Sequence, residues 1–581
     1  MSKGLYAFSG DPVTRGHRHV IERILKAHPD DELVIGIGVN PDKNYLFTLD
    51  ERTDMACKYL SDLNVEVAAF EGMLTDYACE NGFDVVYRGI RDEYDARDEL
   101  NLFNVLRDQN SEFEMFFIPA HYEMTKISSS NAKAIAKEHG SIDSSVSSSV
   151  KEAIYGKYLS QYPIGLTGVS GAGKSYWAKE IKNKCNESGI PIHHIDLDVL
   201  GHQILEEATE DLYVKTRLKI IETFDVESSG GFVDRKALGA VVFDNPENMT
   251  RLNEIMYKPM MIKITRERYG ADKKGLLLID GALIAEFGWM NLSNNNTILV
   301  STDEKTQESR LFNSGLDHEQ IGRRKESQYT ENLKREKLLD AISKDNNGTL
   351  WEIDNSFDSN PDIDGYFKDM IFKVDRWGEL RFSGLWNRIG ADGTPDEEYR
   401  RLVRAYSEPH RHYHTLDHIV SGLDELWGVR ELLDKPDEVE FAWWFHDSVY
   451  KRQSNVNEIK SAEAASNLSR NVLLGEDFAT DVKRLVLDTA HNKVPETFEG
   501  EVIADIDTLV FGTVPEIFDD YEFRIGKEYS WADPDEFKTK RSEILLKFLE
   551  RSQIYYTDVF EDAYGAQARA NLERVLVKLD V

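Results

Sequence analysis

The octapeptide Gly168-Val169-Ser170-Gly171-Ala172-Gly173-Lys174-Ser175 constrains this chain more than any other stretch. It follows the apolar run Ile164-Gly165-Leu166-Thr167 and precedes a helical pattern over Tyr176–Cys185. Glycines between a strand and a helix form a loop whose backbone N–H groups cradle phosphate. Lys174 then reaches the β- and γ-phosphates of a nucleotide, and the Ser175 hydroxyl ligates Mg²⁺. Gly168, Gly171, Gly173 and Ser175 are therefore candidate ATP-binding positions, with Lys174 acting on the transferred group. The runs Ile164–Thr167, His194–Ile195, Leu276–Ile279 and Ile298–Val300 read as strands of an α/β domain from about 160 to 373. Ser228-Ser229-Gly230-Gly231 and Asn294-Asn295-Asn296 read as loops within it.

A second phosphate-handling pattern lies upstream. Gly10-Asp11-Pro12-Val13-Thr14-Arg15-Gly16-His17 directly follows Leu5–Phe8. The strand ends, turns on Gly10 and Pro12, and enters a helix near His17, where N–H groups and the positive helix end face an anion. A histidine at that point can donate to a phosphate as charge develops on it. Leu33–Val39, Val65–Phe70, Val85–Tyr87 and Met115–Ile118 supply further strands, and Thr48-Leu49-Asp50-Glu51 is a capping box opening an intervening helix. This alternation predicts a parallel sheet with helices on both faces. Serine-rich Ser141–Val150 reads as a linker closing a domain at residues 1–150.

From 376 to 581 strand signals almost vanish, and helical periodicity over Phe441–Tyr450, Asp481–Asn492 and Glu543–Ser552 predicts an all-α domain. Arg411-His412-Tyr413-His414-Thr415-Leu416-Asp417-His418 opens it chemically, followed by Phe445-His446-Asp447, His491 and Ala504-Asp505-Ile506-Asp507. An adjacent His-Asp pair flanked by an earlier histidine and a later aspartate fits a metal site assembled from several helices. Imidazole and carboxylate suit Mn²⁺, Fe²⁺, Ni²⁺ or Zn²⁺. Such an ion makes hydroxide available for attack on a phosphate ester.

At 581 residues the chain has room for about three domains. Its formal charge of -34 argues against nonspecific binding to nucleic acid or an anionic membrane, and suits local basic pockets for phosphate substrates. No apolar stretch approaches the ~20 residues of a membrane span, and Met1-Ser2-Lys3 leads directly into a strand without a signal-peptide core. Cys57, Cys79 and Cys185 form no disulfide framework or metal motif, which suits reduced thiols and a cytoplasmic location.

Residues 1 to about 140 resemble the phosphopantetheine adenylyltransferases, whose mark appears here as Thr14-Arg15-Gly16-His17. Asn40-Pro41-Asp42-Lys43, Phe47-Thr48-Leu49-Asp50-Glu51-Arg52, Tyr87-Arg88-Gly89-Ile90-Arg91-Asp92 with Glu99, and Lys126-Ile127-Ser128-Ser129-Ser130 follow in the family's order. The resemblance implies that His17 and Lys43 stabilise the transferring phosphate. Arg88 and Arg91 would bind the triphosphate or the pantetheine phosphate, and Ser128–Ser130 would hold phosphate at a helix N-terminus. Ser9, Gly16 and Glu99 complete the implied set. Phe8-Ser9-Gly10 departs from the family's Gly-Thr-Phe, losing an aromatic at Gly10.

The second domain resembles dephospho-CoA kinase in His193-His194-Ile195-Asp196-Leu197-Asp198, Phe232-Val233-Asp234-Arg235-Lys236-Ala237-Leu238-Gly239, Leu283-Ile284-Ala285-Glu286 and Gln307-Glu308-Ser309-Arg310. By resemblance Asp198 orients or deprotonates the ribose 3′-hydroxyl, and Arg310 and Arg324 are candidate charge stabilisers. The family's His-Pro stands here as Lys258-Pro259, and its Pro-Leu-Leu as Ala282-Leu283-Ile284.

The C-terminal segment resembles the HD superfamily of metal-dependent phosphohydrolases. That implies His418, His446 and Asp447 as ligands, with Asp507 or Asp505 supplying the last. His414 and His491 would complete a second metal or contact phosphate. Together the resemblances imply a bifunctional coenzyme A synthase with an added hydrolase domain, using ATP, 4′-phosphopantetheine and dephospho-CoA with Mg²⁺. Two rivals stand beside it: another nucleotidyltransferase–kinase fusion, such as an NMN adenylyltransferase type, or a scaffold or regulator with inactive sites.

Overall fold

The computed structural model describes residues 2–579 apart from 110–113, 139, 227, 230, 244, 270–273, 327 and 376–377. The chain divides into two compact units, Met1–Lys184 with Ile192–Asp369, and Cys185–Pro191 with Met370–Val581.

In the first unit, β1 (Lys3–Phe8), β2 (Glu32–Gly38), β3 (Glu66–Phe70), β4 (Val85–Ile90) and β5 (Glu114–Pro119) form a parallel sheet in the order β3-β2-β1-β4-β5. Leu5, Val34 and Val86 bury on one face, and Tyr6, Ile35 and Tyr87 on the other. The near-continuous apolar runs thus belong to strands covered on both sides. Strand order reverses between β1 and β4, and a crevice opens at the carboxyl ends of strands at such a point.

A second parallel sheet comprises β6 (Gln161–Gly168), β7 (Ile192–Asp196), β8 (Gly275–Asp280), β9 (Thr297–Ser301) and β10 (Leu350–Asp354), in the order β10-β9-β6-β8-β7. Every residue of central β6 is buried. Strand β10 goes unread in the sequence because it is an edge strand, with alternating exposure and no continuous apolar run. Ser228–Ser229, expected in a loop, pairs antiparallel with Phe232–Val233 in a hairpin too short to leave a periodic signal.

Ser141–Val150 is not a linker. Ile142, Val146, Ser147 and Val150 are buried, and the Ser147 hydroxyl accepts from Val150 N–H to cap a helix over Ser148–Leu159. That helix carries Lys151, whose ammonium bonds Asp143 at 2.5 Å and the Asn291 carbonyl at 2.6 Å. Glu152 accepts from Asn296 at 3.0 Å and Asn347 at 3.3 Å. A buried polar group must find partners, and here the partners belong to the second sheet's surroundings. The segment therefore packs as a joint, and the two sheets form one unit.

The second unit has no strand among the described residues. The helix expected over Phe441–Tyr450 runs Pro436–Phe445, leaving His446 and Asp447 on the turn that follows it. The one expected over Asp481–Asn492 spans Glu476–Asp488, and His491 takes the left-handed conformation at φ 51°. The one expected over Glu543–Ser552 spans Pro534–Leu549. No described helix is long and apolar enough to cross a membrane.

Candidate functional sites

The end of β1 opens into a cavity of about 570 Å³ that gathers Ser9, Gly16, His17, Lys43, Arg88, Arg91, Glu99 and Ser128–Ser130. Thr14 caps the Arg15–Ala27 helix, accepting from His17 N–H at 3.4 Å, and its own N–H donates to His17 Nδ1 at 3.0 Å. An accepting Nδ1 places the proton of the neutral ring on Nε2. Burial, then the charges of Arg91 and Lys43, push the His17 pKa down to about 3. The ring is thus a neutral donor. Phe8 stacks on it at 4.2 Å between centroids, supplying an aromatic contact beside Gly10, which turns the chain at φ 60°.

Lys43 Nζ donates to Ser9 Oγ at 3.0 Å. Arg88 bonds both oxygens of Glu99, at 2.6 and 2.5 Å, and the Ala7 carbonyl at 2.7 Å. Arg91 pairs with Asp95 at 2.7 and 3.0 Å. Both guanidiniums are therefore held by carboxylates of the Glu93–Gln109 helix. Ser128 caps the Ser129–Lys137 helix, Ser129 Oγ donates to the Pro12 carbonyl at 2.8 Å, and Ser130 is exposed.

Motif reading missed the support beneath this cavity. Asp11 is buried, accepts from Leu46 N–H at 3.1 Å and Phe47 N–H at 3.0 Å, and pairs with Lys133. Buried Arg52 donates to the Ser9 and Gly38 carbonyls. Their signal was their place inside quoted motifs, without any hint of partner.

At the end of β6, the phosphate loop requires glycine for space. A Cβ on Gly168 would collide with the Val300 carbonyl, and one on Gly173 with the Asn355 side chain. Arg310 donates to the Ala172 carbonyl at 2.9 Å and the Asn355 carbonyl at 2.8 Å, bracing the loop. Asn355 Nδ2 bonds the Ala172 carbonyl at 2.7 Å. Arg324 is exposed on the His318–Glu326 helix.

Lys174 and Ser175 open the Lys174–Glu187 helix, and Asp198 lies in the first turn of Leu197–Glu206, capped by Asp196. Burial raises the Asp198 pKa; Lys174 opposes this, while the charges of Asp196 and Asp280 add to it. Asp280, missed in the sequence, ends β8 in register with Asp196 and Leu166 and is buried. These carboxylates around a hydroxyl-bearing phosphate loop suit a hard cation such as Mg²⁺. Asp198 also lines a second cavity of about 270 Å³, mostly apolar, with Met256, Met260 and Trp289.

In the helical unit, donor atoms of His418, His446 and Asp507 all lie within 4.8 Å of one another. His418 Nε2 is 3.3 Å from His446 Nε2, and each lies 3.5 Å from Asp507 Oδ1. Asp447 Oδ2 is 3.2 Å from His446 Nε2. His446 Nδ1 donates to the Trp443 carbonyl at 2.8 Å, directing Nε2 into the cluster. Two imidazole nitrogens turned toward each other and toward two carboxylates form a donor set that fits a divalent ion. Burial would lower the His446 pKa, but Asp447 and Asp507 raise it to about 10, so the site favours positive charge.

Asp505 takes no part. It accepts from Tyr556 N–H at 2.7 Å and from Thr557 N–H and Oγ1 at 2.8 Å. The two aspartates leave the Phe498–Thr508 helix in different directions, which separates what their spacing left ambiguous. His491 Nε2 bonds Asp507 Oδ2 at 2.8 Å, supporting that carboxylate. His414 Nδ1 bonds Glu528 Oε2 at 2.7 Å, and Glu528 also accepts from the backbone N–H groups of residues 412–414 and from Tyr450. No motif points to Glu528, which lies far along the chain from the loop it holds.

Residues 9–135 match the family model for cytidylyltransferase-like proteins, and residues 162–352 the model for dephospho-CoA kinase. The phosphopantetheine adenylyltransferase of Lachnoclostridium phytofermentans is 38% identical over 159 residues, which is 27% of this chain and 96% of the relative. That of Psychromonas ingrahamii is 37% identical over 159 residues, 27% of this chain and 98% of the relative. That of Clostridium kluyveri is 33% identical over 165 residues, 28% of this chain and 98% of the relative.

Proposed function

Because the chain belongs to the phosphopantetheine adenylyltransferase family and carries a dephospho-CoA kinase domain beside that region, we propose that one polypeptide performs two consecutive steps of coenzyme A synthesis. The first moves an adenylyl group from ATP to 4′-phosphopantetheine, giving dephospho-CoA and pyrophosphate. The second phosphorylates the ribose 3′-hydroxyl of dephospho-CoA with another ATP. The supporting observation is that all ten positions expected at the first site line one cavity.

In the first step an oxygen of the phosphopantetheine phosphate attacks the α-phosphorus of ATP. His17, neutral with its proton on Nε2, donates to the α-phosphate oxygen that gains charge. Lys43, held by Ser9, adds positive charge. Arg88, Arg91 and the N-terminus of the Ser129–Lys137 helix bind the outer phosphates. In the second step the phosphate-loop N–H groups and Lys174 hold the γ-phosphate, and Asp198 accepts the hydroxyl proton. Its raised pKa makes it a better base than an ordinary aspartate. Ser175 and Asp280 would hold Mg²⁺, which when bound neutralises phosphate oxygens.

For the helical unit we infer a metal-dependent phosphohydrolase of the HD kind. His418, His446, Asp447 and Asp507 would hold a divalent transition metal, which supplies hydroxide for attack on a phosphate ester. His491 and Glu528 hold Asp507 and His414 in place, as supporting partners do around metal ligands. The closeness of the His418–His446–Asp507 donors carries this reading.

Incubating the purified full chain with phosphopantetheine and ATP, and following products by mass, tests the synthase. Dephospho-CoA and then CoA are expected; neither forming refutes it. For the hydrolase, metal analysis after Mn²⁺, Ni²⁺ or Fe²⁺ loading is paired with a panel of phosphate esters. No bound ion and no turnover refutes that reading.

A further inference from the structure

A short stretch of chain from Gln328 to Lys334 joins the donor side of the kinase site to its acceptor side. At one end the Gln328 side-chain carbonyl accepts from Ser170 N–H, inside the phosphate loop, at 2.9 Å. The Ser170 carbonyl accepts from Gln307 Nε2 at 2.8 Å, so two amide side chains grip one residue of the loop. The next residue, Tyr329, donates its N–H to Glu286 Oε1 at 3.0 Å. At the other end Lys334, fully buried, bonds the same carboxylate oxygen at 2.5 Å and the Ala282 carbonyl at 2.6 Å. Ala282 sits between Asp280-Gly281 and Leu283-Ile284, and Gly281, Leu283 and Ile284 line the apolar cavity with Asp198.

None of these side chains is placed to react. A glycine-rich loop is costly to hold in one conformation, and transfer needs reacting atoms about 3–3.5 Å apart, so bracing from outside the loop matters. Lys334 lies within electrostatic reach of both Lys174 and Asp198. The connection thus runs from the loop that holds the γ-phosphate to the turn that shapes the acceptor cavity.

We propose that Gln328 and the Glu286–Lys334 pair form a positioning relay that fixes the phosphate loop against the acceptor turn. They act on the transfer step rather than on nucleotide affinity. This rests on the kinase reading above.

The test compares the full-length chain with Gln328→Ala and Gln328→Glu. Phosphorylation of supplied dephospho-CoA is measured alongside adenylyl transfer to phosphopantetheine, which reports folding of the same unit. Gln328→Ala should lower kcat for phosphorylation about 10-fold or more, the scale of small misplacement, with KM for ATP nearly unchanged and adenylyl transfer intact. Gln328→Glu still accepts from Ser170 N–H but brings negative charge to the loop, so it should recover kcat and raise KM for ATP. An unchanged kcat in Gln328→Ala, or a loss confined to KM, overturns the relay. If Gln328→Ala loses both reactions, Gln328→Glu decides: recovered kcat supports the relay and its absence overturns it. A wild-type chain that forms no CoA from dephospho-CoA overturns the kinase reading, and the relay with it.

Discussion

The phosphate loop and the helical histidine cluster each gather polar groups around one point, and they do so in opposite ways. The loop takes nearly all its binding groups from one contiguous octapeptide, because main-chain N–H groups at the end of a strand already converge. The cluster draws on three separated stretches of the helical unit, at His418, His446-Asp447 and Asp507, and two of its donors are held from outside: His446 by the Trp443 carbonyl and Asp507 by His491. A loop site concentrates its chemistry locally and needs bracing from afar. A helical site disperses its chemistry and needs bracing everywhere.

This contrast predicts different sensitivities. Lys174→Ala removes the main cation from the γ-phosphate and should cut conversion of dephospho-CoA to CoA by on the order of 10³-fold, the scale of losing a charge-stabilising cation in phosphoryl transfer. Dephospho-CoA should then accumulate from phosphopantetheine. A normal rate of CoA formation, read by mass, would show that the octapeptide does not concentrate the chemistry.

His17→Ala should cost about 10²-fold in dephospho-CoA formation, as loss of one preorganised donor does, while phosphorylation of supplied dephospho-CoA persists. The pH dependence follows from its depressed pKa. Folded His17 stays neutral down to about 3, whereas an unfolded histidine takes up a proton near 6.5. The unfolded state binds more protons between those values, so this site loses stability as pH falls through that window and contributes fully above it. Adenylyl transfer should show no limb from His17 between about pH 5 and 8; a limb abolished by His17→Asn would contradict the neutral-donor assignment.

Asp507→Ala should weaken Mn²⁺ binding by more than the roughly 10–100-fold typical of supporting residues, measured by titration calorimetry. Undiminished affinity would remove Asp507 from the ligand set.

The smallest effect sharpens the contrast within one helix. Asp505→Ala leaves two backbone N–H groups without acceptors and should destabilise the unit by about 1–3 kcal/mol in urea unfolding. Metal binding should be unchanged. Loss of metal affinity equal to that of Asp507→Ala would mean that the two aspartates act together.

Both α/β halves were legible because their chemistry follows strand ends, and strands buried on both faces announce themselves as apolar runs. The first cavity collected His17, Lys43, Arg88, Arg91, Glu99 and Ser128–Ser130 as their motifs implied. What stayed hidden was pairing. Nothing near Arg88 or Arg91 distinguishes guanidiniums held by Glu99 and Asp95 from free ones, and Arg310 reads as a surface charge although it braces a loop.

The sequence by itself determined where phosphate is handled in the first unit, since a strand, a glycine turn and a helix start are local and carry their own N–H groups. It also determined the helical character of the second unit through its periodicity. Only the tertiary structure decided that Ser141–Val150 is a buried joint, that Asp507 and not Asp505 faces the histidines, and that Gln328 reaches Ser170. Those outcomes depend on which way a side chain leaves its backbone and what lies opposite, and long-range packing fixes both.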